Sequence, residues 1–350
     1  PLILIDFGGT QIFDTATVDT NILMLSKESN QLKTMACIVK EKVLNNLSDY
    51  FRLHSTNSQF ISSESWGILS DIEQSIKAKI EAVGTPLKDW DIRINYGIKT
   101  GFNDAFIIDG KKKDELIAED PKSAEIIRPI LRGRDIKKYS YDFADLWIIY
   151  VPWHFPLHND SSIKGASQAA EDEFKKQYSA IYNRLLKFKN ELSNRNNAET
   201  GVRYEWYALQ RWGSNYWEDF SKQKIVWKRV GSILRFAYDD TGALCLDSTC
   251  FATGKYIKYL VGIMNSKFGK YIMKDSPQTG TGDLLISVQA IEPLIIPIPD
   301  DIINNKFEII INSKLQNINN LLSDFEKDID ILIYEMFKFT EEEIEFIESQ

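Results

Sequence analysis

Residues 95–109, NYGIKTGFNDAFIID, decide how the rest of the chain is read. Asn95-Tyr96-Gly97 reads as a turn, and a second turn at Asp109-Gly110 closes the stretch. Around it, residues 92–160 hold short strand-like runs, among them the apolar run 146–151. Downstream, Phe174, Tyr178, Ile181, Leu185 and Phe188 recur at spacings of three and four, which predicts a helix over 163–193. Residues 202–251 are strand-like, with KIVWKRV (224–230) and ILRFAY (233–238) joined through Gly231. A helix is expected over 255–273, then the polar loop SPQTGTGD (276–283), a proline-punctuated stretch over 292–300, and two or three amphipathic helices over 302–349. Strands and helices that follow one another in blocks, without regular alternation, point to an α+β fold.

Upstream, residues 31–94 read as a connector with helices at about 33–53 and 65–82, the second ended by Gly84-Thr85-Pro86. Residues 1–27 read as strands. Leu2-Ile3-Leu4-Ile5 is a continuous apolar run, as in a strand buried on both faces. Ile12-Phe13 and residues 20–25 suggest a returning hairpin. Two or three strands do not make a domain, so this segment is expected to be the edge of a larger sheet. The opening residue is proline, in mid-strand, and suggests a piece of a longer protein.

The composition is globular: 43% hydrophobic and 12% aromatic over 350 residues. No apolar run approaches the roughly 20 residues that span a bilayer, and no signal peptide is visible. Cys37, Cys245 and Cys250 lack metal-ligand spacing, so reduced thiols in a cytoplasmic protein are expected. The net charge of −8 argues against a polyanionic partner until its distribution is inspected. Residues 301–350 alone carry −8, whereas 201–275 carry +5 and RPILRGRDIKK (128–138) sets five basic residues against Asp135. Binding of a polyanion follows the local field, not the global sum.

Two apparent motifs point elsewhere. IDFGGT (residues 5–10) resembles the first phosphate loop of actin-like sugar kinases, where glycines let backbone N–H groups approach a phosphate. No second phosphate loop or catalytic aspartate accompanies it, and a hairpin turn is the plainer reading. His154 and His158 have helical metal-ligand spacing, but Pro152 and Pro156 forbid a regular helix through them, so no zinc pair is expected. No Gly-x-Ser-x-Gly elbow, P-loop or Asn-Pro-Pro-Tyr box appears.

What stands out is basic side chains interleaved with aromatics and glycines. YEWYALQRWG (204–213) offers Gln210 and Arg211 beside Trp212. Lys228 and Arg229 lie in a strand ahead of Gly231, and Arg132-Gly133-Arg134 is a turn with two guanidinium forks. Arginine pairs two-point with guanine edges or phosphates, and glutamine with adenine. Gln278 and Thr279 sit in a glycine-rich loop able to enter a groove. Lys99, Asn103, Lys137 and Lys138 complete the candidate DNA contacts.

The opening stretch resembles the start of the target-recognition domain in TaqI-like adenine methyltransferases and type IIG restriction–modification enzymes. Their Gly-Ile-x-Thr-Gly-x-Asn-x-Ala-Phe pattern is matched by Gly97, Ile98, Thr100, Gly101, Asn103, Ala105 and Phe106. IRPILRGRDI (127–136) is similar to that family's Pro-x-Leu-x-Gly-x-Asp-Ile step. LVGIMNSKF (260–268) resembles its Leu-Asn-Ser helix, LIIPIP (294–299) its closing strand, and residues 326–344 its terminal helices. Residues 5–27 look like the last hairpin of the methyltransferase sheet.

The resemblance implies four segments: a methyltransferase remnant over 1–30, the connector over 31–94, a DNA target-recognition domain over 95–300 and C-terminal helices over 301–350. It implies a module that binds double-stranded DNA and has no catalytic residue, metal or cofactor of its own. The parent protein would use S-adenosylmethionine to methylate adenine at N6, with the methyltransferase domain, and a nuclease where one is fused, in the same chain. Two alternatives stand beside it: a specificity module of a type I-like or phage-defence methyltransferase that needs partner subunits, and a sugar kinase built on residues 5–10. No membrane partner is expected.

Overall fold

The computed structural model describes residues 1–8, 12, 13, 15, 18, 20–39, 46–60, 66–279, 282–316 and 322–350. They divide into two compact units: Pro1–Ala82 with Phe339–Phe346, and Val83–Lys338 with Ile347–Gln350.

The smaller unit is a four-stranded sheet in the order Asn21–Met24, Ile3–Asp6, Thr34–Ile38, Thr56–Ser58. The hairpin expected at its start is present: Ile3 pairs with Met24 and Asp6 with Asn21, antiparallel. Two expectations are corrected here. The helix placed at 33–53 is instead the strand Thr34–Ile38 followed by the helix Leu47–His54. Thr34, Ala36 and Cys37 are buried, and the strand runs parallel to Ile3–Asp6, so sheet pairing overrides local helical periodicity. The strand at 2–5 is not buried on both faces: Leu2 is 44% exposed, and only Ile5 of the run is buried, in a small core with Phe7, Cys37 and Val39. The helix Asp71–Val83 buries Ile76 and Ile80. Glu343 accepts hydrogen bonds from Ser75 and Lys79, each at 2.6 Å, and ties the helix Glu341–Glu348 to it.

The larger unit carries two main sheets. The first runs Phe236–Asp239, Lys224–Lys228, Thr249–Gly254, Ile92–Tyr96, all antiparallel. Its strand Lys224–Lys228 is buried except at Lys228. The second runs Leu244–Cys245, Ile127–Leu131, Leu146–Ile149, Ile107–Asp109. The region expected to be one helix, 163–193, is three: Gln168–Gln177, Ser179–Leu186 and Lys189–Asn194. Tyr178 leaves helical geometry (φ −132°, ψ 56°), and Phe174, Ile181, Leu185 and Leu192 all reach one continuous core with both sheets. Likewise 255–273 is two helices, Ile257–Asn265 and Lys267–Ile272. The first is buried on nearly every side, against the first sheet and against Phe307 and Ile311 of the helix Asp301–Gln316. A Cβ at Gly262 would fall 2.7 Å from the Phe307 ring, so glycine permits that approach. Strands and helices segregate as an α+β protein should. All three cysteines are buried and unpaired.

Candidate nucleic-acid interface

Residues 246–249 stitch three chain segments together. Leu246 N–H donates to Leu131 O (2.9 Å), Asp247 N–H to Ile98 O (2.8 Å) and Arg229 N–H to Ser248 O (3.0 Å). Gly133 N–H donates to Ser248 Oγ at 3.0 Å, and Gly97 N–H to Thr249 O at 3.1 Å. This turn therefore brings the backbones of Lys99, Arg132–Arg134 and Lys228-Arg229 to one place, although they are far apart in sequence.

Glycine is required at two of these crossings. A Cβ at Gly97 would lie 2.1 Å from Leu246 O, and one at Gly133 would lie 2.8 Å from Lys228 Cγ. The Lys228 stem thus runs between Gly133 and Gly231, whose Cβ position is 3.3 Å from Lys228 Nζ. Beyond Gly231, the pairing of Val230–Gly231 with Leu284–Leu285 docks the loop that carries Gln278 and Thr279. Thr279 is tied within that loop, its N–H donating to Asp283 O at 2.8 Å. Gln278 is exposed and bridges to Leu284.

The cations differ in their engagement. Lys99, Arg134 and Lys228 are exposed and Arg229 is half-buried, and no ion pair involves them among the described residues. Arg229 does not pair across the hairpin with Asp239, which is bound by Lys224. Arg132 is folded back on Asp135, which accepts from its Nε (3.0 Å) and Nη2 (2.8 Å) and holds the guanidinium above its ordinary pKa. Lys137 pairs with Asp142 at 3.3 Å and Lys138 with Glu326 at 3.1 Å. Lys224, in the same strand as Lys228, is fully buried on Asp239 and so offers no phosphate contact.

Residues 206–211 form an irregular segment fixed on both sides. Leu209 N–H donates to Val151 O, and Trp153 Nε1 donates to Leu209 O at 2.8 Å. Opposite, Lys99 and Arg211 exchange backbone hydrogen bonds at 3.0 and 2.9 Å. Arg195 lies behind this pairing. Its guanidinium donates to Thr100 O at 2.7 Å and to Trp206 O and Ala208 O, and burial lowers its pKa to about 10. Gln210, a proposed reader, is buried at 9% exposure against Gly101 and does not face solvent. Arg211 is half exposed, with both Nη atoms on Glu199 at 2.9 and 3.1 Å. Hydrogen bonding by Arg211 is the main cause that lowers the Glu199 pKa. Asn103 is exposed and its Oδ1 accepts from Thr100 Oγ1 at 2.6 Å; Trp212 is half-buried.

Glu199, Arg195 and Ser248 are the positioning residues that sequence reasoning missed. Nothing in their local sequence sets them apart, because each acts across a tertiary crossing. The His154 ring Nδ1 and backbone N–H both engage Glu205, at 2.9 and 2.7 Å. Among the described residues no group of three or more His, Cys, Asp or Glu side chains could hold a metal.

Residues 128–294 match the family model of the TaqI-like C-terminal specificity domain. Among curated proteins, the Type II methyltransferase M.MjaIV of Methanocaldococcus jannaschii is 22% identical over 249 residues, covering 69% of this chain and 77% of that protein. The DNA complex of the Type IIL restriction–modification enzyme MmeI shares the fold, with a TM-score of 0.53 at 9% identity over 99% of this chain and 44% of that one. The type IIG restriction endonuclease BpuSI aligns at a TM-score of 0.47 and 13% identity, over 99% of this chain and 42% of that one. The chain spans less than half the length of these two enzymes. The sugar-kinase alternative gains no support from these matches, and Gly9 and Thr10 of its loop lie outside the described residues. Over residues 128–294 this chain is therefore similar to the TaqI-like C-terminal specificity domain.

Proposed function

We propose that the chain reads the DNA target for a site-specific adenine methyltransferase of a restriction–modification system. The observation that carries this reading is the match of residues 128–294 to the specificity-domain family. Geometry supports it: Lys99, Arg134, Lys228 and Arg229 cluster on turns fixed by residues 246–249, and none has an ion pair among the described residues. Short, rigid supports suit side chains that must meet phosphates and base edges in register. The exposed Gln278 loop, docked beside Gly231, adds a polar edge that can enter a groove.

In this reading the chain positions duplex DNA, and the methyl group comes from S-adenosylmethionine bound elsewhere in the parent protein. The target adenine would have to leave the stack to be methylated. A nuclease, where fused, belongs to the same parent. No helix among the described residues is long and apolar enough to cross a membrane.

Fluorescence anisotropy with a labelled duplex at several salt concentrations tests the proposal. Log affinity should fall steeply and linearly with log salt, and Arg134→Gln and Lys228→Gln should each reduce the slope by about one unit. A salt-independent affinity, or an unchanged slope in both variants, would refute it.

A further inference from the structure

We infer that a hollow in the larger unit receives an unpaired nucleobase bearing an exocyclic amino group. This rests on the proposal that the chain binds duplex DNA. The hollow, of about 540 Å³, lies beside the segment that ends in Arg211. It continues into a smaller one of about 260 Å³ that reaches Arg211 itself, and the two share Trp212, Ser214, Asn215 and Tyr216.

The chain is folded to build it. Gly213 adopts φ +78°, and a Cβ there would fall 2.8 Å from the Tyr216 ring. Glycine therefore lets residues 212–216 double back, so that Trp212 and Tyr216 line the same space. Tyr150 closes one side; its hydroxyl donates to Trp212 O at 3.0 Å and its ring stacks on Trp217 at 4.0 Å. Trp212 is different from these rings. It meets Tyr150 only edge-on, at 6.5 Å, and among the described residues no ring stacks on it and no acceptor takes its indole N–H. A half-buried tryptophan with an open face in a lined hollow is a stacking platform, and base–aromatic stacking tolerates any base.

The polar lining selects among ligands. Glu218 is exposed, with no cation on its carboxylate among the described residues, and Asn215 is exposed nearby. The neighbouring carboxylate, Asp219, already accepts from Lys222 at 2.7 Å. Arg93 also lines the hollow, 3.6 Å from Asp219, so Glu218 is the carboxylate left to accept from the amino group of adenine or cytosine. The cations of the interface hold the backbone outside, and a base swung out of the stack enters.

The test uses the full chain and three duplexes of one sequence: fully paired, with a single bulged adenine, and with a bulged abasic site. The bulged-adenine duplex should bind roughly tenfold tighter than the paired one, and the abasic bulge should not. Trp212→Ala should abolish the bulged-to-paired ratio and Trp212→Phe, which keeps a ring, should retain most of it. Glu218→Gln and Asn215→Ala, both at exposed positions, should lower the ratio and leave paired-duplex affinity unchanged. Equal affinity for all three duplexes, or a ratio that survives Trp212→Ala, would overturn this inference while the DNA-reading proposal stands. Failure to bind any duplex would overturn both.

Discussion

Lys224→Met should destabilise the larger unit by about 3–5 kcal/mol, the range for removing one partner of a buried ion pair. Lys224 and Asp239 face each other across adjacent strands and are both fully buried. The Asp239 carboxylate also accepts from Tyr141 Oη at 2.6 Å and Thr241 Oγ1 at 2.7 Å, while Lys224 Nζ donates to Phe220 O at 2.7 Å. Burial alone would raise the Asp239 pKa. The Lys224 charge and hydrogen bond, with those from Tyr141 and Thr241, outweigh it and hold the carboxyl below its ordinary value. The native pair therefore contributes stability above the unfolded carboxyl pKa, and that stability is lost as pH falls through the lowered folded value. Without Lys224 the sign reverses. Burial then raises the carboxyl pKa, so the variant's deficit should shrink on acidification from pH 8 to 5.5, by at most about 1.4 kcal/mol for each pH step of one. Asp239→Leu should cost a similar amount, by stranding an ammonium. The double variant Lys224→Met/Asp239→Leu should recover to within about 2 kcal/mol of the native protein, because both charges leave together. Tyr141 Oη keeps Thr241 Oγ1, at 3.1 Å, as its partner. Urea unfolding followed by tryptophan fluorescence is the assay, since seven of the eight tryptophans belong to this unit. A loss below about 1 kcal/mol in Lys224→Met, or a double variant no better than the singles, would show that the pair does not govern the sheet.

Asp330 has its carboxyl pKa raised to about 6, by burial and then by the Glu348 and Glu326 charges. Its folded pKa exceeds the unfolded one, so stability should decline as pH rises from about 4 through 6, by at most about 3 kcal/mol. Asp330→Asn keeps an acceptor for the Lys267 N–H at 2.9 Å, so it should flatten that decline and raise the melting temperature at pH 7.5. Glu199→Gln removes the charge that clamps Arg211; in the full-length enzyme, methylation of single-base target variants should then show altered preference at one base pair. Arg211→Ala should cost about 1–3 kcal/mol of discrimination there, and a uniform loss over all variants would make Arg211 a phosphate or structural residue. Gly97→Ala, with its Cβ forced to 2.1 Å from Leu246 O, should cost about 1–3 kcal/mol and weaken every duplex alike, as read by thermal melting and anisotropy.

The stretches that carry the family likeness proved to be scaffold. Asn265 shows why. Its Nδ2 donates to Phe236 O at 2.7 Å and Val261 O at 2.9 Å, and its Oδ1 accepts from Phe236 N at 3.1 Å, so it seals an edge of the first sheet. Ser266 caps the next helix by accepting from Gly269 N–H at 2.9 Å. Gly97 and Gly133 are spaces for crossing chains, and Asp135 holds its own turn. Such roles need one residue type at one place, which is why they can be read from sequence. The strand at Thr34–Ile38 could not be, because its pairing partner, Ile3–Asp6, lies a loop away and outweighs a weak local helical period.

The engagement of the cations was not legible for a related reason. Lys138 and Glu326 are 188 positions apart, and Arg211 and Glu199 are separated by a loop, so no local pattern announces either pair. A basic stretch in sequence therefore overstates the field it can offer. In 128–138, Arg132, Lys137 and Lys138 are all engaged by carboxylates, which leaves Arg134 as the exposed fork of its turn. Scaffold and the proposed reading surface are thus separable. The motif glycines and Ser248 set where the turns lie, and Arg134, Lys228 and Arg229, which those turns present, can change without disturbing a single hydrogen bond of residues 246–249 made by backbone. Exchanging those three side chains should then alter DNA preference at constant melting temperature, while the same exchange at Gly133 should alter the melting temperature first.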